Sequence, residues 1–362
     1  MLYLLAQILN GYYSFFNVFK YLTFRSCGAL FSSFFICMYL MPKLIKFCQN
    51  KQSFYQPIRD DGPATHVLDK QKVPSMGGIV MIISLISSVL LWGNPQNNYL
   101  WILIFVTVIF GVIGFYDDYS KVVKNNVKGI SAKKKFCLQI ICAFTSVILI
   151  NWSGAPSYSN FITIPFFKAT FIDLGWFYLI FAIVVIVGSS NAVNLTDGLD
   201  GLAIGPILIL SAVFALIAYL VGNLNFSEYL KIIYVYGASD IAVFCAALIG
   251  AGLGFLWYNS YPAKIFMGDT GSLSLGAIIG VISIIIKQEL VLFIAGFIFV
   301  IEAISVILQV ASFKLRQKRI LRMAPIHHHL EKLGWSETTI VIRFWILSLL
   351  FALVALVSLK IR

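Results

Sequence analysis

Charged side chains are scarce in this 362-residue chain. They make up 12% of the sequence, whereas soluble domains carry about 25%. Hydrophobic residues account for 60% of the chain, and its mean hydropathy is +0.89. Several apolar runs exceed the roughly 18 to 20 residues that cross a bilayer as a helix. These features exclude a soluble globular protein and predict an all-α, polytopic integral membrane protein that forms one domain over residues 1–362.

Cysteine is also sparse, and its spacing excludes further classes of protein. The six cysteines form no CxxC pair, so neither a zinc ribbon nor a disulfide framework is predicted. The first apolar stretch lacks the basic start and the small-residue cleavage site of a signal peptide, so we expect no cleaved leader. No repeat of fixed period is visible, which argues against the inverted repeats that many transporters contain.

The net charge is nevertheless +12, because basic residues collect in particular loops. The bias of lysine and arginine toward cytoplasmic loops explains this charge, and no nucleic acid partner is predicted. The basic loops follow the first, third and ninth of about ten predicted spans, so these loops are placed in the cytoplasm and both termini on the extracytoplasmic side. The predicted spans are residues 22–46, 76–92, 99–116, 136–152, 172–190, 201–221, 237–257, 265–286, 290–313 and 340–359.

Acidic residues and histidines concentrate on the cytoplasmic side, which predicts an active site at that membrane face. Asp117 and Asp118 lie at the end of the third span. Adjacent carboxylates at a membrane boundary repel each other and cost energy to desolvate, and a divalent cation relieves both effects. Lys121 shares a helix face with Asp117, so a salt bridge at the helix end is the alternative.

A second polar motif joins the fifth and sixth spans. Asn191, Asn194, Asp197 and Asp200 recur at every third residue. In a helical turn these side chains can converge on one ligand. A capping loop is the alternative, although capping needs one such residue and not four.

A third motif surrounds the predicted start of the eighth span. Asn259 and Phe266 precede Asp269, which lies at the helix N-terminus. Such a terminus favours anions, and a carboxylate there would hold Mg²⁺ through its oxygens. A simple N-cap is the alternative.

Two further groups carry candidate ligand contacts. Three consecutive histidines, His327, His328 and His329, follow a basic loop. Adjacent residues point in different directions, so contacts with phosphate or sugar are preferred over a zinc site. Lys70 and Ser75 precede a glycine-rich helix start, which predicts phosphate binding. Contact with lipid headgroups is the alternative for these two residues.

Glu302 and Asp240 are carboxylates within predicted spans. Ionisable groups inside a membrane are functional candidates because burying them is costly. Gln309 follows Glu302 by seven residues and lies on a similar helix face. We interpret these side chains as structural or supporting groups.

The motifs resemble the polyprenyl-phosphate N-acetylhexosamine-1-phosphate transferase superfamily. The resemblance runs from residue 50 to the C-terminus. Its histidine segment and the form NLTDGLDGL indicate the muramoyl-pentapeptide branch of the superfamily. The matching segments are DGPATH at 61–66, PSMGG at 74–78, DDYSK at 117–121, NAVNLTDGLDGL at 191–202, MGDTGSL at 267–273 and MAPIHHHLEKLGWSE at 323–337.

The resemblance implies a reaction in the bacterial cytoplasmic membrane. Phospho-N-acetylmuramoyl-pentapeptide would move from its UDP conjugate to undecaprenyl phosphate, releasing UMP and forming lipid I. Direct attack by the lipid phosphate is favoured over a phosphoryl-enzyme intermediate. A sibling transferase for N-acetylglucosamine-1-phosphate is the nearest alternative and a transporter a distant one, while a homodimer is left open.

The resemblance also implies residue roles. Mg²⁺ would bind Asp269 and stabilise the leaving UMP. The implied catalytic residues are Asp117, Asp118, Asp269 and His327. The resemblance implies nucleotide contacts from Asn194, Asp197, Asp200, Asn259 and Phe266. From the residues themselves we expect phosphate contacts from Lys70, Ser75, Lys121 and Lys133, and contacts with phosphate or sugar from His328 and His329.

Overall fold

The computed structural model describes the chain except for residues 10–12, 52–72, 123–128, 155–158, 168–169 and 361–362. Outside these gaps, the regular secondary structure is helical apart from one antiparallel hairpin, β1 (Phe161–Thr163) and β2 (Phe171–Asp173). Short 3₁₀ helices lie at Ser14–Lys20 and Ala238–Asp240. The α-helices of the described residues are α1 (Leu2–Leu9), α2 (Leu22–Lys51), α3 (Gly78–Trp92), α4 (Asn98–Val122), α5 (Ala132–Ser153), α6 (Phe177–Thr196), α7 (Ile204–Val221), α8 (Leu224–Leu230), α9 (Ile241–Asn259), α10 (Gly268–Ile285), α11 (Glu289–Ala295), α12 (Phe297–Arg316), α13 (Ile326–Lys332) and α14 (Glu337–Lys360).

The helices confirm the predicted membrane class. Within the described part of the chain, nine helices are long and apolar enough to cross a membrane. Helix α3 is also apolar but shorter, with 15 residues. These ten helices correspond to the ten predicted spans, with ends that differ by a few residues. The β-hairpin and the short helix α8 are additions that the apolar pattern does not predict.

Helix α10 forms the centre of the bundle, and every one of its residues is buried. It packs most extensively against α4 and α6. A Cβ on Gly114 of α4 would lie 2.2 Å from the carbonyl oxygen of Asp269, and one on Gly78 of α3 would lie 2.3 Å from the backbone nitrogen of Gly271. These glycines let the backbones approach closely, as small residues do in membrane helix packing. The packing therefore encloses Asp269 at the start of α10.

The predicted ninth span is divided in two at Gly296. The backbone nitrogen of Gly296 bonds to the carbonyl oxygen of Leu292, and a Cβ on Gly296 would lie 2.7 Å from that oxygen. Helix α12 ends at Arg316, and Gln317 adopts a left-handed conformation (φ 52°) that turns the chain. The basic residues 314–322 are therefore the end of a helix followed by non-helical chain.

The hairpin lies at the opposite end of the bundle from the start of α10. The hydroxyl of Thr163 donates to the carbonyl oxygen of Lys287 at 2.8 Å, and the ammonium group of Lys287 donates to the hydroxyl of Tyr178 at 2.9 Å. The hydroxyl of Tyr178 donates in turn to Glu289. These bonds join the hairpin to α6 and α11, far from the carboxylate motifs.

Candidate active site

Two carboxylates and two ammonium groups form the centre of the site, where α4, α5 and α10 meet. The ammonium nitrogen of Lys121 lies 2.7 Å from Oδ2 of Asp117 and 3.1 Å from Oδ2 of Asp269. The ammonium nitrogen of Lys135 lies 2.6 Å from Oδ2 of Asp269 and 3.4 Å from Oδ2 of Asp117. The same two cations thus bridge the same two oxygens. The motifs DDYSK and MGDTGSL therefore meet in one cluster.

Asp118 makes a different set of contacts from its neighbour Asp117. Its carboxylate accepts hydrogen bonds from the backbone nitrogens of Asp269 (3.1 Å) and Thr270 (2.9 Å) and from the Thr270 hydroxyl (2.8 Å). The first N–H groups of a helix lack intrahelical partners and favour negative charge. Gly268 has a φ of 74°, and a Cβ there would lie 2.6 Å from Oδ2 of Asp118. Asp118 therefore caps α10 from a neighbouring helix and holds the backbone of Asp269.

Replacing Asp118 with asparagine is expected to lower stability and activity together. The amide offers one acceptor oxygen, so at least one backbone N–H of α10 loses a charged partner, a bond that contributes about 1.5–3 kcal/mol. Thermal unfolding in detergent and turnover are measured on the same preparation, with the exposed Glu228→Gln as a control. An inactive Asp118→Asn variant with wild-type melting would contradict this role and give Asp118 a direct part in the chemistry.

The structure places Lys135, and not Lys133, in the cluster. Lys133 is exposed, whereas Lys135 is partly buried. Residues two apart lie about 200° apart around a helix, so only one of them can face the site. The sequence shows a run of lysines without showing which face of α5 is buried. One sequence signal could have identified the correct lysine. Gln139 is a polar residue within an apolar span, one turn after Lys135, and the structure buries it.

Lys135→Met is expected to lower kcat/KM by on the order of 10²-fold, the scale for losing a preorganised charge in an enclosed site. The loss leaves Asp117 and Asp269 with the single ammonium group of Lys121. Lys133→Met is the matched control and should stay close to wild type, because this side chain is exposed. Equal losses in the two variants would indicate that the lysine run acts through its overall charge and not through one ammonium group.

The end of α6 contacts the same cluster. The side-chain nitrogen of Asn194 donates to Oδ1 of Asp269 at 3.0 Å and to the hydroxyl of Ser272 at 2.8 Å. One turn earlier, the side-chain nitrogen of Asn191 donates to Oε1 of Gln139 at 2.8 Å and ties α6 to α5. Asn194 therefore lies beside the central carboxylates. Asp197 is half-buried immediately after α6, and its role in binding stays a prediction.

Asp200 and Asn259, both expected to contact the nucleotide, bind neighbouring loops of the protein. Oδ2 of Asp200 accepts from the backbone nitrogen of Ala263 at 2.9 Å. The side chain of Asn259 accepts from the backbone nitrogen of Gly201 at 3.0 Å and donates to the carbonyl oxygen of Ile265 at 2.8 Å. These bonds fasten the turn before α7 to the loop between α9 and α10. Their contact with a nucleotide stays a prediction.

The chain before α3 lies against the start of α10. The backbone nitrogen of Phe266 donates to the carbonyl oxygen of Pro74 at 2.8 Å. Ser75 is buried, and its hydroxyl has no hydrogen-bond partner within the described residues. A Cβ on Gly268 would lie 3.0 Å from that hydroxyl oxygen. Buried polar groups normally have partners, so a ligand oxygen would complete this position, while Lys70 lies outside the described residues.

The three histidines begin α13, and each has a different partner. Nδ1 of His327 lies 3.0 Å from Oε2 of Glu302, and His327 is buried. Nδ1 of His328 lies 2.6 Å from a carboxylate on its own helix. Nδ1 of His329 accepts from a backbone nitrogen of the preceding basic segment at 3.1 Å. The rings therefore do not share one ligand position, which disfavours zinc.

The carboxylate oxygens at the centre of the site suit a hard cation. In the described ranges, no three histidine, cysteine or acidic side chains come close enough to hold a metal together. Asp117 and Asp269 offer carboxylate oxygens, and Mg²⁺ commonly binds one or two carboxylates together with substrate phosphates. These two carboxylates balance the two ammonium groups and leave no positive charge for an incoming diphosphate. The residues therefore fit Mg²⁺ better than Zn²⁺.

The fold and the cluster define a multi-pass membrane protein with a polar, buried charge cluster at one end of its helical bundle. The sequence family described as Glycosyl transferase family 4 matches residues 100–287. The chain is also 51% identical, over 362 residues and 100% of both chains, to the phospho-N-acetylmuramoyl-pentapeptide-transferase of Pelagibacter ubique (strain HTCC1062). The chain therefore belongs to glycosyl transferase family 4 and, within it, to the phospho-N-acetylmuramoyl-pentapeptide-transferases. This confirms the resemblance that the motifs indicate.

Proposed function

We propose that this chain transfers phospho-N-acetylmuramoyl-pentapeptide from its UDP conjugate to undecaprenyl phosphate. The reaction releases UMP and forms lipid I, a step of peptidoglycan synthesis in the bacterial membrane. The observation that carries the proposal is the 51% identity over the full chain to a transferase of this name. The cluster of Asp117, Asp269, Lys121 and Lys135 supports it, because its chemistry suits phosphate transfer.

Both substrates are polyanions, and their mutual repulsion opposes the reaction. Phosphoryl transfer depends chiefly on positioning and on neutralising charge. The carboxylates of Asp117 and Asp269 hold the ammonium groups of Lys121 and Lys135 in place. These donors are therefore oriented before a diphosphate arrives, which is the arrangement that stabilises charge in a transition state. Ser75 and Lys70 are proposed to extend the phosphate contacts.

The proposed cofactor is Mg²⁺, with Asp269 as its principal ligand and Asp117 beside it. When bound, the ion would neutralise diphosphate charge and stabilise the leaving UMP. The contact from Asn194 engages Oδ1 of Asp269, while Oδ2 faces the two lysines at the centre of the cluster. The chain itself thus fixes which oxygen of Asp269 is presented to the reacting groups.

The lipid phosphate is the proposed nucleophile. A phosphomonoester has a second pKa of about 6, so the group is largely dianionic at neutral pH and needs little help from a general base. Asp117 is therefore assigned to orienting the cationic side chains around the nucleophile. Direct attack is favoured over a phosphoryl-enzyme, since Asp269 already accepts contacts from both lysines and Asn194.

An apolar cavity of about 250 Å³ lies between α6, α10, α11 and α12. Val193 lines it, and the next residue, Asn194, contacts Asp269. Phe299 and Ala303 line the opposite wall on α12. An apolar cavity that adjoins a few polar groups is typical of a site for a largely hydrophobic ligand. We therefore assign this cavity to the prenyl chain of the lipid substrate.

The nucleotide sugar is assigned to the polar loops at the end of the bundle that holds Asp117 and Asp269. Phe266 is half-buried there and offers a ring for stacking on uracil. Asp197 is proposed to bind the uridine diphosphate, and His328 and His329 the sugar. This end is proposed to face the cytoplasm, because the basic residues 314–322 and the lysines at the start of α5 flank it.

UMP release by the purified chain tests the proposed function. UDP-N-acetylmuramoyl-pentapeptide is supplied with and without undecaprenyl phosphate, and release is expected only when both are present. UDP-N-acetylglucosamine is assayed in parallel to separate the sibling activity. The proposal would be overturned if, in the presence of undecaprenyl phosphate, UMP were released from UDP-N-acetylglucosamine and none from the muramoyl nucleotide.

A further inference from the structure

A stripe of polar side chains on α12 holds the segment that carries the histidines. Oε1 of Gln309 accepts from the backbone nitrogens of residues 320 and 321 at 3.1 and 2.9 Å. The hydroxyl of Ser312 donates to the carbonyl oxygen of Lys318 at 2.8 Å. Glu302 lies seven residues before Gln309 on the same helix face and contacts His327. Helix α12 and the histidine segment are therefore joined along the length of this stripe.

The contact between Glu302 and His327 is fully buried, and both residues are 0% exposed. A carboxylate inside a membrane-spanning helix is costly unless another group satisfies it. Within the described residues, His327 supplies the only side-chain partner of Glu302, at 3.0 Å. A carboxylate in its charged form can only accept hydrogen bonds. We therefore assign the proton of this bond to Nδ1 of His327.

The other ring nitrogen of His327 faces the turn between α6 and α7. A Cβ on Gly198 would lie 2.3 Å from Nε2 and 2.9 Å from Cε1 of His327. The glycine thus provides space for the ring, which enters the turn that also holds Asp197. Nε2 is buried and has no hydrogen-bond partner within the described residues. A buried nitrogen without a partner is a position that a ligand group can complete.

We propose that Glu302 is a positioning residue of the transfer reaction, which holds His327 so that Nε2 is presented to the substrate at the Gly198 turn. This inference rests on the proposed function. The hydrogen bond made by one ring nitrogen of a histidine decides the state of the other. Glu302 thereby sets both the rotation and the protonated nitrogen of the ring. In this proposal the carboxylate of Glu302 acts through the His327 ring, to which it bonds, and not on a reacting atom.

Glu302→Gln, His327→Asn and the double variant test this role in the full-length protein. Glu302→Gln is expected to reduce kcat on the order of 10- to 100-fold, the range for losing a group that orients a functional histidine. The double variant should lose no more than His327→Asn alone, because the two residues act as a unit. Glu228→Gln, an exposed carboxylate on α8, is the matched control and should match wild type.

Activity is expressed per molecule that binds UDP-N-acetylmuramoyl-pentapeptide, at a temperature well below each melting point. A purely structural role would reduce the number of binding-competent molecules and leave kcat per site unchanged. Wild-type kcat per site in Glu302→Gln, or losses that multiply in the double variant, would overturn the proposal.

Imidazole ¹⁵N spectra provide a second readout that needs no turnover. The chain has four histidines, and the signal missing from His327→Asn identifies the relevant ring. Wild type should show a protonated, hydrogen-bonded Nδ1, and Glu302→Gln should shift both nitrogens of that ring. Identical spectra would contradict the role of Glu302. Absence of UMP release by wild type would instead count against the proposed function, so the two failures are distinguishable.

Discussion

EDTA is expected to abolish UMP release, and added Mg²⁺ is expected to restore it. In the central cluster the carboxylates of Asp117 and Asp269 already balance the two ammonium groups, while both substrates are anionic. Two lysines cannot neutralise this combination, and oxygen ligands favour a hard divalent cation. The protein is first treated with EDTA. Initial rates of UMP release are then measured as Mg²⁺ is added stepwise at constant ionic strength.

Two additions control this experiment. Spermidine supplies positive charge without coordination chemistry and should not restore activity. Zn²⁺ should also fail, because the described histidines point to separate partners. Undiminished turnover in EDTA would exclude a metal requirement, and restoration by Zn²⁺ alone would require the histidine segment to be reinterpreted as a metal site.

Asp269→Asn is expected to reduce kcat by about 10²- to 10³-fold, the scale for removing one charge-stabilising group from an enclosed site. The carboxylate accepts contacts from Lys121, Lys135 and Asn194. Asparagine keeps the shape but removes the charge, so Asp117 alone must then balance two ammonium groups. Turnover and the Mg²⁺ concentration for half-maximal rate are measured, and the latter should rise.

Stability distinguishes Asp269→Asn from Asp118→Asn. The backbone of residue 269 keeps its bond to Asp118, so Asp269→Asn should melt close to wild type, whereas Asp118→Asn should not. Asp173→Asn, an exposed carboxylate of β2 at the other end of the bundle, is the control. Near wild-type kcat in a correctly folded Asp269→Asn variant would remove Asp269 from the centre of the proposed mechanism.

The membrane spans could be predicted because a bilayer imposes simple requirements. A spanning segment needs about 20 apolar residues, and its backbone must satisfy its own hydrogen bonds as a helix. Nine helices of the described chain meet the length and hydropathy requirements. The break at Gly296 did not follow from the apolar pattern, since the residues on both sides are apolar. At that position Gly296 leaves helical geometry (φ −91°, ψ 21°), and a Cβ there would lie 2.7 Å from the carbonyl oxygen of Leu292.

The motif residues could also be identified, but their individual contacts could not. Asp117 and Asp118 are adjacent and chemically identical, yet one contacts lysines and the other caps α10. Successive residues of a helix point about 100° apart, so neighbours face different surroundings. Two such steps place Lys133 and Lys135 about 200° apart around α5.

The sequence by itself determined the membrane class, the spans and the set of polar segments, because composition and periodicity are local properties of the chain. The tertiary structure alone decided which of these side chains meet. Lys135 reaches Asp269, and Glu302 reaches His327, only because packing sets the rotation of α5 and the path of the chain after α12. Such contacts join residues far apart in sequence, and their geometry depends on how whole helices pack, which no local pattern records.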